Sequence, residues 1–247
     1  MFASVAALIF VPIAVLTAYV VFGLIGFGST LIAVPLMAHF FPLKFVIPVI
    51  VLVDCFASLH QGFRLREGLN KQDMLPMLPF LLAGMVIGAT ILVRAPAGML
   101  MALLGVFVTG YGLYYSFQHE SVFRLARWTA APIGLVAGTT STVFGMAGPI
   151  YVMYLVGRGS TPEQIRATMP VIFIITTIGR IVLFSAIGLI VQDVLVTAAL
   201  LAPVMALGLW LGNRWHSSFS RAQVVRAIGA VLTVSVKLRR SGAEPLE

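Results

Sequence analysis

The fold is decided by residues 1–43, MFASVAALIFVPIAVLTAYVVFGLIGFGSTLIAVPLMAHFFPL, which contain no Asp, Glu, Lys or Arg. As one helix, residues 3–43 would extend about 60 Å, roughly twice the ~30 Å thickness of the hydrocarbon core of a bilayer. We therefore expect this helix to break. The sequence places the break at Gly23-Leu-Ile-Gly26-Phe-Gly28-Ser29-Thr30, where three glycines and two hydroxyl residues interrupt the apolar run.

The rest of the chain has the same character. Of its 247 residues, 60% are hydrophobic and 10% are charged, against roughly 25% charged residues in a soluble domain. Further uncharged windows cover 74–93, 95–119, 128–157 and 194–213, and each is long enough to cross a bilayer. This composition predicts an all-α polytopic membrane protein. It leaves no room for a separate soluble catalytic domain.

The hydrophobic pattern predicts about eight transmembrane helices. We place them near 3–24, 44–63, 74–93, 97–117, 129–147, 168–191, 194–213 and 222–238. Two shorter apolar segments remain, 26–42 and 147–157. Each is either a re-entrant half-helix or the continuation of a broken helix, because irregular backbone at membrane depth requires a protein or water-filled environment.

The chain contains an internal repeat at an offset of about 120 residues. The Gly26–Thr30 motif corresponds to Gly145-Met-Ala-Gly148-Pro149, and Gly84 and Gly88 correspond to Gly208 and Gly212. We therefore predict one membrane domain of two homologous four-span repeats. The first repeat covers 1–119, a polar connection covers 120–127, the second repeat covers 128–240 and a polar tail covers 241–247.

Three pairs of glycines are spaced four residues apart, as Gly84/Gly88, Gly134/Gly138 and Gly208/Gly212. This spacing puts small residues on one helix face, one turn apart, and lets neighbouring backbones approach closely. We interpret these pairs as packing positions.

Glycine-rich breaks at corresponding positions of two halves indicate a transporter binding site. A helix that begins within the membrane has unpaired N–H groups and a partial positive charge at its N-terminus, which favours an anion. The candidate binding residues at the breaks are Gly26, Gly28, Ser29, Thr30, Ser141, Thr142, Gly145, Gly148 and Pro149. The alternative is a packing crossover in which the hydroxyls bond to their own helices.

Only two charged residues, Asp54 and Arg180, lie deep within predicted spans. A charge at the bilayer centre costs about 3 kcal/mol and therefore needs a partner or a wet cavity. Thr176 and Thr177 share the helix face of Arg180, so these three residues are candidates to bind an oxyanion. Asp54 is a candidate proton-coupling group. The alternative is a buried Asp54–Arg180 ion pair that fixes two helices.

Other classes of site find little support in the sequence. The single Cys55 and the scattered His39, His60, His119 and His216 do not have metal-ligand spacing, so we expect no metal and no cofactor. The bases are dispersed at the ends of apolar segments, which is typical of membrane flanks. We therefore expect no nucleic-acid partner. In an eight-span topology the two sides carry eight and seven bases, which does not decide the membrane orientation.

At these motifs the chain resembles the TauE/SafE family, also called the toluene-sulfonate uptake permease family. The motifs are residues 26–36 (GFGSTLIAVPL), Gly134-Leu-Val-Ala-Gly138 and Gly145-Met-Ala-Gly148-Pro149, with Gly84 and Gly88 in the third span. The resemblance implies a multi-pass transporter of the bacterial cytoplasmic membrane with two homologous halves, which moves sulfite, sulfonates or related small anions. The chain departs from the family in Ser29, where glycine runs are common, and in its short last span.

The predicted function is secondary transport of a small organic or sulfur-containing anion, as an exporter or permease, by alternating access between the repeats. The expected partners are the anion, the lipid bilayer and a coupling proton, and the oligomeric state is left open. Two alternatives differ in class: an intramembrane enzyme acting on a lipid or phosphate substrate, and a membrane assembly factor. The enzyme would need a cluster of acids, bases or nucleophiles, whereas only two ionisable residues lie deep in the spans.

Overall fold

The computed structural model describes residues 5–25, 28–62, 68–117 and 124–215, and the regular elements in these residues are all helical. The helices are α1 (Val5–Ile25), α2 (Ser29–Met37), α3 (Leu43–Gly62), α4 (Lys71–Arg94), α5 (Ala97–Phe117), α6 (Ala130–Phe144), α7 (Gly148–Gly157), α8 (Pro162–Ala186) and α9 (Gln192–Trp215). Of these, α1, α4, α8 and α9 are long and apolar enough to cross a membrane. The all-α polytopic membrane class is therefore confirmed.

Helices occupy each of the seven predicted spans that fall within the described residues. The largest boundary difference is in α8, which begins at Pro162 rather than near 168. Thr161 accepts a hydrogen bond from the Gln164 backbone, and the Gln164 side chain accepts one from the Thr161 N–H. This capping box starts the helix within polar sequence that a hydropathy pattern does not detect. The predicted span at 222–238 lies outside the described residues.

Both predicted breaks are present. Gly28 precedes α2 with φ 99°, and Gly145 follows α6 with φ 74°; these left-handed conformations favour glycine because it has no Cβ. Pro149 lies in the first turn of α7, where its missing N–H leaves no hydrogen bond unmade. With 9 and 10 residues, α2 and α7 are each about 15 Å long, about half the hydrocarbon thickness.

The two short helices turn back along the helices that precede them. Phe40, just after α2, contacts Phe10 near the start of α1, with ring centroids 5.5 Å apart. The Leu125 N–H, before α6, donates to the Gly157 carbonyl at the end of α7, at 2.7 Å. Thus α2 and α7 both return toward the starts of α1 and α6, and neither continues its predecessor across the bundle.

The helices α4 and α6 pack in parallel through their glycine pairs. A side-chain carbon on Gly84 would collide with the Leu135 carbonyl, and one on Gly88 would lie 2.7 Å from the Thr139 carbonyl oxygen. The Thr139 hydroxyl also donates to the Gly84 carbonyl at 3.1 Å. Conversely, Gly134 of α6 lies against the Met77 carbonyl of α4. The backbones therefore approach too closely for any larger residue.

The helices α1 and α9 pack in the same way. A side-chain carbon on Gly208 would lie 2.7 Å from the Leu16 carbonyl oxygen, and one on Gly212 would collide with the Val20 carbonyl. Because Gly208 faces Leu16 and Gly212 faces Val20, α1 and α9 are parallel. These contacts confirm the packing interpretation of the glycine pairs.

The helices α3 and α8 contact each other between the α1–α9 pair and the α4–α6 pair. One apolar core includes residues of α1, α2, α3 and α9, and a second includes residues of α4, α6, α7 and α8. The two helix breaks meet where these cores adjoin, and this position holds the candidate site.

Candidate functional site

A partly enclosed cavity lies between the two breaks, α3 and α8. From the first break it is lined by Gly28, Ser29 and Thr30, and from the second by Ser141, Gly145, Gly148 and Pro149. Asp54 of α3 and Thr177 and Arg180 of α8 complete the predicted residues that line it. The structure thus brings ten of the thirteen candidates together around one space.

The other three candidates are not among the described residues that line the cavity. The Thr142 hydroxyl donates to the Gly138 carbonyl of its own helix at 3.0 Å. Similarly, the Thr176 hydroxyl donates to the Ile172 carbonyl at 2.9 Å. Both side chains are buried and neither lines the cavity. Gly26 lies outside the described residues.

The two breaks contact each other directly. The Thr30 hydroxyl donates to the Gly145 carbonyl at 2.8 Å, and a side-chain carbon on Gly145 would lie 2.8 Å from Thr30 Cγ2. This hydrogen bond links residues 115 positions apart in the chain. It closes the space between the start of α2 and the end of α6.

Asp54 is 6% exposed and is held by hydroxyl donors from the first half of the chain. Its Oδ1 accepts from the Tyr19 hydroxyl at 2.7 Å and from the Ser29 hydroxyl at 3.1 Å. Its Oδ2 has no hydrogen-bond partner among the residues that the structure describes. The carboxyl group is therefore fixed through one oxygen and retains acceptor capacity on the other.

Arg180 is 3% exposed and is held by the second half of the chain. Its Nη1 donates to the Ser141 carbonyl at 3.2 Å, and its Nη2 donates to the Thr177 hydroxyl at 3.3 Å. The guanidinium carries five donors. Its Nε–H is buried without a hydrogen-bond acceptor in the described structure, so the group retains capacity to bind an oxygen.

Asp54 and Arg180 line the same cavity without forming an ion pair. Residues 5–25, 28–62, 68–117 and 124–215 contain only one ion pair, which joins Arg158 and Asp73. The alternative of a buried Asp54–Arg180 pair is therefore not the arrangement in the structure. Instead, each charge is held by its own half and faces the shared cavity.

The electrostatics of the cavity favour an anion beside Arg180. The first residues of α2 and α7 line the cavity, and their first-turn N–H groups have no partner within the helix. The macrodipoles of both helices add a partial positive charge there. The volume of the cavity that water can occupy is about 20 Å³, which accommodates about one water molecule.

Sequence reasoning missed three residues of this region. Tyr19 binds Asp54, Ser58 lines the cavity one helical turn beyond Asp54, and Tyr151 is completely buried near Arg180. Ser58 could have been predicted, because its spacing of four residues from Asp54 puts both side chains on one helix face. Tyr19 and Tyr151 lie in apolar runs, where the sequence does not distinguish a tyrosine that binds a polar group from one that only packs in the core.

No group of three His, Cys, Asp or Glu residues with the geometry of a metal site occurs in the described part of the chain. The site consists of hydroxyls, backbone groups, one carboxyl group and one guanidinium. A buried, charged cavity between broken helices defines the class of this protein: it is a multi-pass membrane transport protein.

The chain belongs to the family described as "Sulfite exporter TauE/SafE", whose family model matches residues 11–238. It is 30% identical over 192 residues to "Probable inner membrane transporter protein TsaS" of Comamonas testosteroni, covering 75% of this chain and 79% of that protein. It is 26% identical over 164 residues to "Probable sulfite/organosulfonate exporter TauE" of Cupriavidus necator, covering 66% of this chain and 64% of that protein. No solved structure matches the chain.

Family membership establishes three of the expectations from sequence. The chain is a membrane transporter, it is not an enzyme, and it is a multi-pass protein of the cell membrane. The intramembrane enzyme and the assembly factor are therefore set aside.

Proposed function

We propose that the chain is a secondary transporter of a small sulfur-containing or organic anion, such as sulfite or a sulfonate, acting as an exporter or permease. The relatives named as an inner membrane transporter and as a sulfite/organosulfonate exporter support this substrate class. The anion binds in the cavity between the two helix breaks. Arg180 and the first N–H groups of α2 and α7 are its ligands, and Ser29, Thr30, Ser141 and Thr177 are polar lining.

The observation that carries the proposal is the state of Arg180. It is a buried cation that faces a cavity at two helix N-termini, and its Nε–H has no acceptor in the described structure. A buried donor of this kind is normally satisfied. An oxyanion provides the acceptor and the opposite charge together.

We further propose that the two halves are homologous repeats of opposite orientation. The glycine contacts support this: Gly84 with Leu135 and Gly208 with Leu16 are corresponding pairs, offset by 124 and 119 residues. Each pair joins the first long helix of one half to the fourth helix of the other. Inverted repeats around a central site are typical of carriers that work by alternating access.

The size of the cavity supports an occluded conformation. Space for about one water molecule is too small for a sulfonate, so the two helix breaks must separate for substrate to enter. The Thr30–Gly145 hydrogen bond is one contact that opening on either side has to change. Alternating access then consists of movement of one half against the other around Arg180.

The direct test is transport by Arg180→Ala in proteoliposomes. A hydrogen bond to a charged group contributes about 1.5–3 kcal/mol, so its loss predicts a decrease of roughly 10- to 100-fold in the initial rate. The measurement is uptake of labelled sulfite or methanesulfonate by purified protein.

The matched control is Arg166→Ala, because Arg166 is on the same helix and is exposed. It should transport at the wild-type rate. A monodisperse size-exclusion profile establishes that each variant is folded. If Arg180→Ala is folded and transports as well as wild type, Arg180 does not bind the substrate and the proposed site is wrong.

We propose Asp54 as the proton-coupling group. An anion adds a negative charge to a cavity that already contains Asp54, and uptake of one proton by this carboxyl group keeps the total charge constant. The unpartnered Oδ2 is available to the proton, because Tyr19 and Ser29 both bind Oδ1. Asp54 and Arg180 are thereby linked through the substrate rather than through an ion pair.

Asp54→Asn tests the coupling. Wild-type anion uptake should be accelerated by an imposed pH gradient, whereas Asp54→Asn should exchange anion across the membrane at the same rate with and without the gradient. The amide oxygen preserves both hydrogen bonds, so the fold should survive. Asp193→Asn, on exposed Asp193 at the start of α9, is the control. Acceleration of Asp54→Asn by the gradient, equal to that of wild type, would exclude Asp54 as the coupling group.

A further inference from the structure

Two side-chain donors in the described structure are buried without a hydrogen-bond partner: Arg180 Nε and the Tyr151 hydroxyl. Tyr151 is 0% exposed and Arg180 is 3% exposed. Buried polar groups are nearly always hydrogen-bonded in native proteins, so each exception requires an explanation. A shared explanation is favoured because both groups adjoin Ser141: Arg180 Nη1 donates to the Ser141 carbonyl at 3.2 Å, and Ser141 lies beside the Tyr151 hydroxyl.

Tyr151 occupies the first turn of α7, directly after the second break. Its ring packs edge-on against Phe173, with centroids 6.0 Å apart, and Phe173 lines the cavity. Ser141, which lines the cavity, and Thr176 lie beside its hydroxyl, but neither completes a hydrogen bond to it. Tyr151 is not itself a lining residue, and its hydroxyl lies next to the lining residue Ser141.

The Tyr151 hydroxyl makes no hydrogen bond to the Ser141 and Thr176 hydroxyls beside it, although each of them has acceptor lone pairs. The Ser141 carbonyl accepts from Arg180 Nη1, and the Thr176 hydroxyl donates within its own helix. Arginine offers only donors. The Tyr151 hydroxyl and Arg180 Nε are thus two donors that make no hydrogen bond, and a ligand with at least two acceptor oxygens can bind both.

We infer that Tyr151 is a specificity-determining residue for the headgroup of the transported anion, an inference that rests on the proposed function. The Tyr151 hydroxyl binds one oxygen, and Arg180 Nε with the first N–H groups of α7 binds the others. A sulfite or sulfonate headgroup has three oxygens and uses all of these donors. A carboxylate has two oxygens, which Arg180 and the α7 N-terminus already satisfy. Tyr151 thus favours three-oxygen headgroups over carboxylates.

The test is binding of methanesulfonate and of acetate to purified full-length Tyr151→Phe in detergent, measured by isothermal titration calorimetry. The ring and its contact with Phe173 remain in this variant, and only the hydroxyl is removed. We expect roughly tenfold weaker binding of methanesulfonate and unchanged binding of acetate. Without ligand, the melting temperature should be unchanged or higher, because an unsatisfied buried hydroxyl has been removed.

The matched control is Tyr154→Phe, one turn further along α7, whose hydroxyl donates to the Asp73 carbonyl instead. It should bind both anions as wild type does. Equal methanesulfonate affinity in Tyr151→Phe and wild type would overturn the inference, as would an equal loss of affinity for both anions. If the wild type binds methanesulfonate and Arg180→Ala does not, an unaffected Tyr151→Phe contradicts only the role of Tyr151. If the wild type binds neither anion, the proposed function itself fails.

Discussion

The two ends of the helix bundle are closed by different chemistry. At the end where α4 and α8 begin and α7 ends, buried hydrogen bonds and an ion pair connect the helices. We call this the polar end, formed by Asn70, Asp73, Leu125, Tyr154, Arg158, Ser160 and Thr168. At the opposite end, where α1, α3 and α9 begin and α2 ends, phenylalanine rings make the contacts. We call this the aromatic end, formed by Phe10, Phe40, Phe41 and Phe45.

The polar end is centred on Asp73, which is 7% exposed. Its carboxylate accepts from Arg158 Nε at 2.7 Å and from Asn70 Nδ2 at 2.8 Å. Arg158 also donates to the Leu125 carbonyl at 2.8 Å, and the Asn70 N–H donates to the Thr168 hydroxyl at 3.0 Å. The hydrogen bond to Asp73 raises the pKa of the Arg158 guanidinium.

The aromatic end is held by ring contacts with little directional constraint. Phe41 and Phe45 have centroids 5.4 Å apart, in addition to the Phe10–Phe40 contact. Among the described residues, the hydrogen bond that crosses between helices there is from the exposed Lys44 Nζ to the Val93 carbonyl, at 2.7 Å. Rings can slide past one another with small loss of contact, whereas buried charges have to keep their partners. The polar end should therefore open in one cooperative step and the aromatic end more gradually.

Among the substitutions that compare the two ends, Asp73→Ala is expected to reduce stability most. This substitution removes the acceptor for Arg158 Nε and for Asn70 Nδ2 and leaves a partly buried guanidinium without its counter-ion. Hydrogen bonds to charged groups contribute about 1.5–3 kcal/mol, so we expect a loss of about 2 kcal/mol. In detergent the melting temperature should fall by roughly 4–8 °C.

Phe40→Ala is the matched substitution at the aromatic end. Phe40 is half-buried, and its contact with Phe10 is worth about 0.5–1.5 kcal/mol, so the melting temperature should fall by about half as much as in Asp73→Ala. If Phe40→Ala destabilises the protein as strongly as Asp73→Ala does, the two ends are closed with equal strength and the contrast between them is wrong.

The sequence predicted the breaks and the central charges because each is a local exception in an apolar chain. Gly28 and Gly145 interrupt uncharged runs, and Asp54 and Arg180 stand alone inside spans. Asp73 had no such signal. In the sequence it is indistinguishable from any other acidic residue in the first turn of a helix, and its partner Arg158 is 85 residues away. A pairing over that distance depends on how α4 and α7 pack, which periodicity does not determine.

The same limit applies to the two buried tyrosines near the cavity. Tyr19 and Tyr151 lie in apolar stretches, where composition predicts a packed ring and does not reveal whether the hydroxyl has a partner. Thr142 and Thr176 show where inference from spacing and the structure differ. Their positions on the correct helices suggested lining residues, but each hydroxyl bonds to a carbonyl of its own helix, as the packing alternative expected for hydroxyls.

Membrane orientation could not be decided from the sequence because α2 and α7 were not known to turn back. In the structure, the bases at described helix ends are unequally divided between the two ends. Lys71, Arg124, Arg127, Arg158, Arg166 and Arg214 lie toward the polar end, and Lys44 and Arg94 lie toward the aromatic end. Lys and Arg are enriched on the cytoplasmic side of membrane proteins. This distribution predicts that the polar end faces the cytoplasm.

The smallest effect on activity is expected from two cysteine substitutions that test this orientation. In a Cys55→Ser background, Lys71→Cys and Arg94→Cys place single thiols at opposite ends of α4, both at exposed positions. Both variants should transport within about twofold of the parent, because exposed substitutions change stability little. A membrane-impermeant maleimide should label Arg94→Cys in intact cells and Lys71→Cys only in inverted vesicles. The reverse labelling would place the aromatic end in the cytoplasm, and the ion pair of Asp73 and Arg158 would then close the outer side of the transporter.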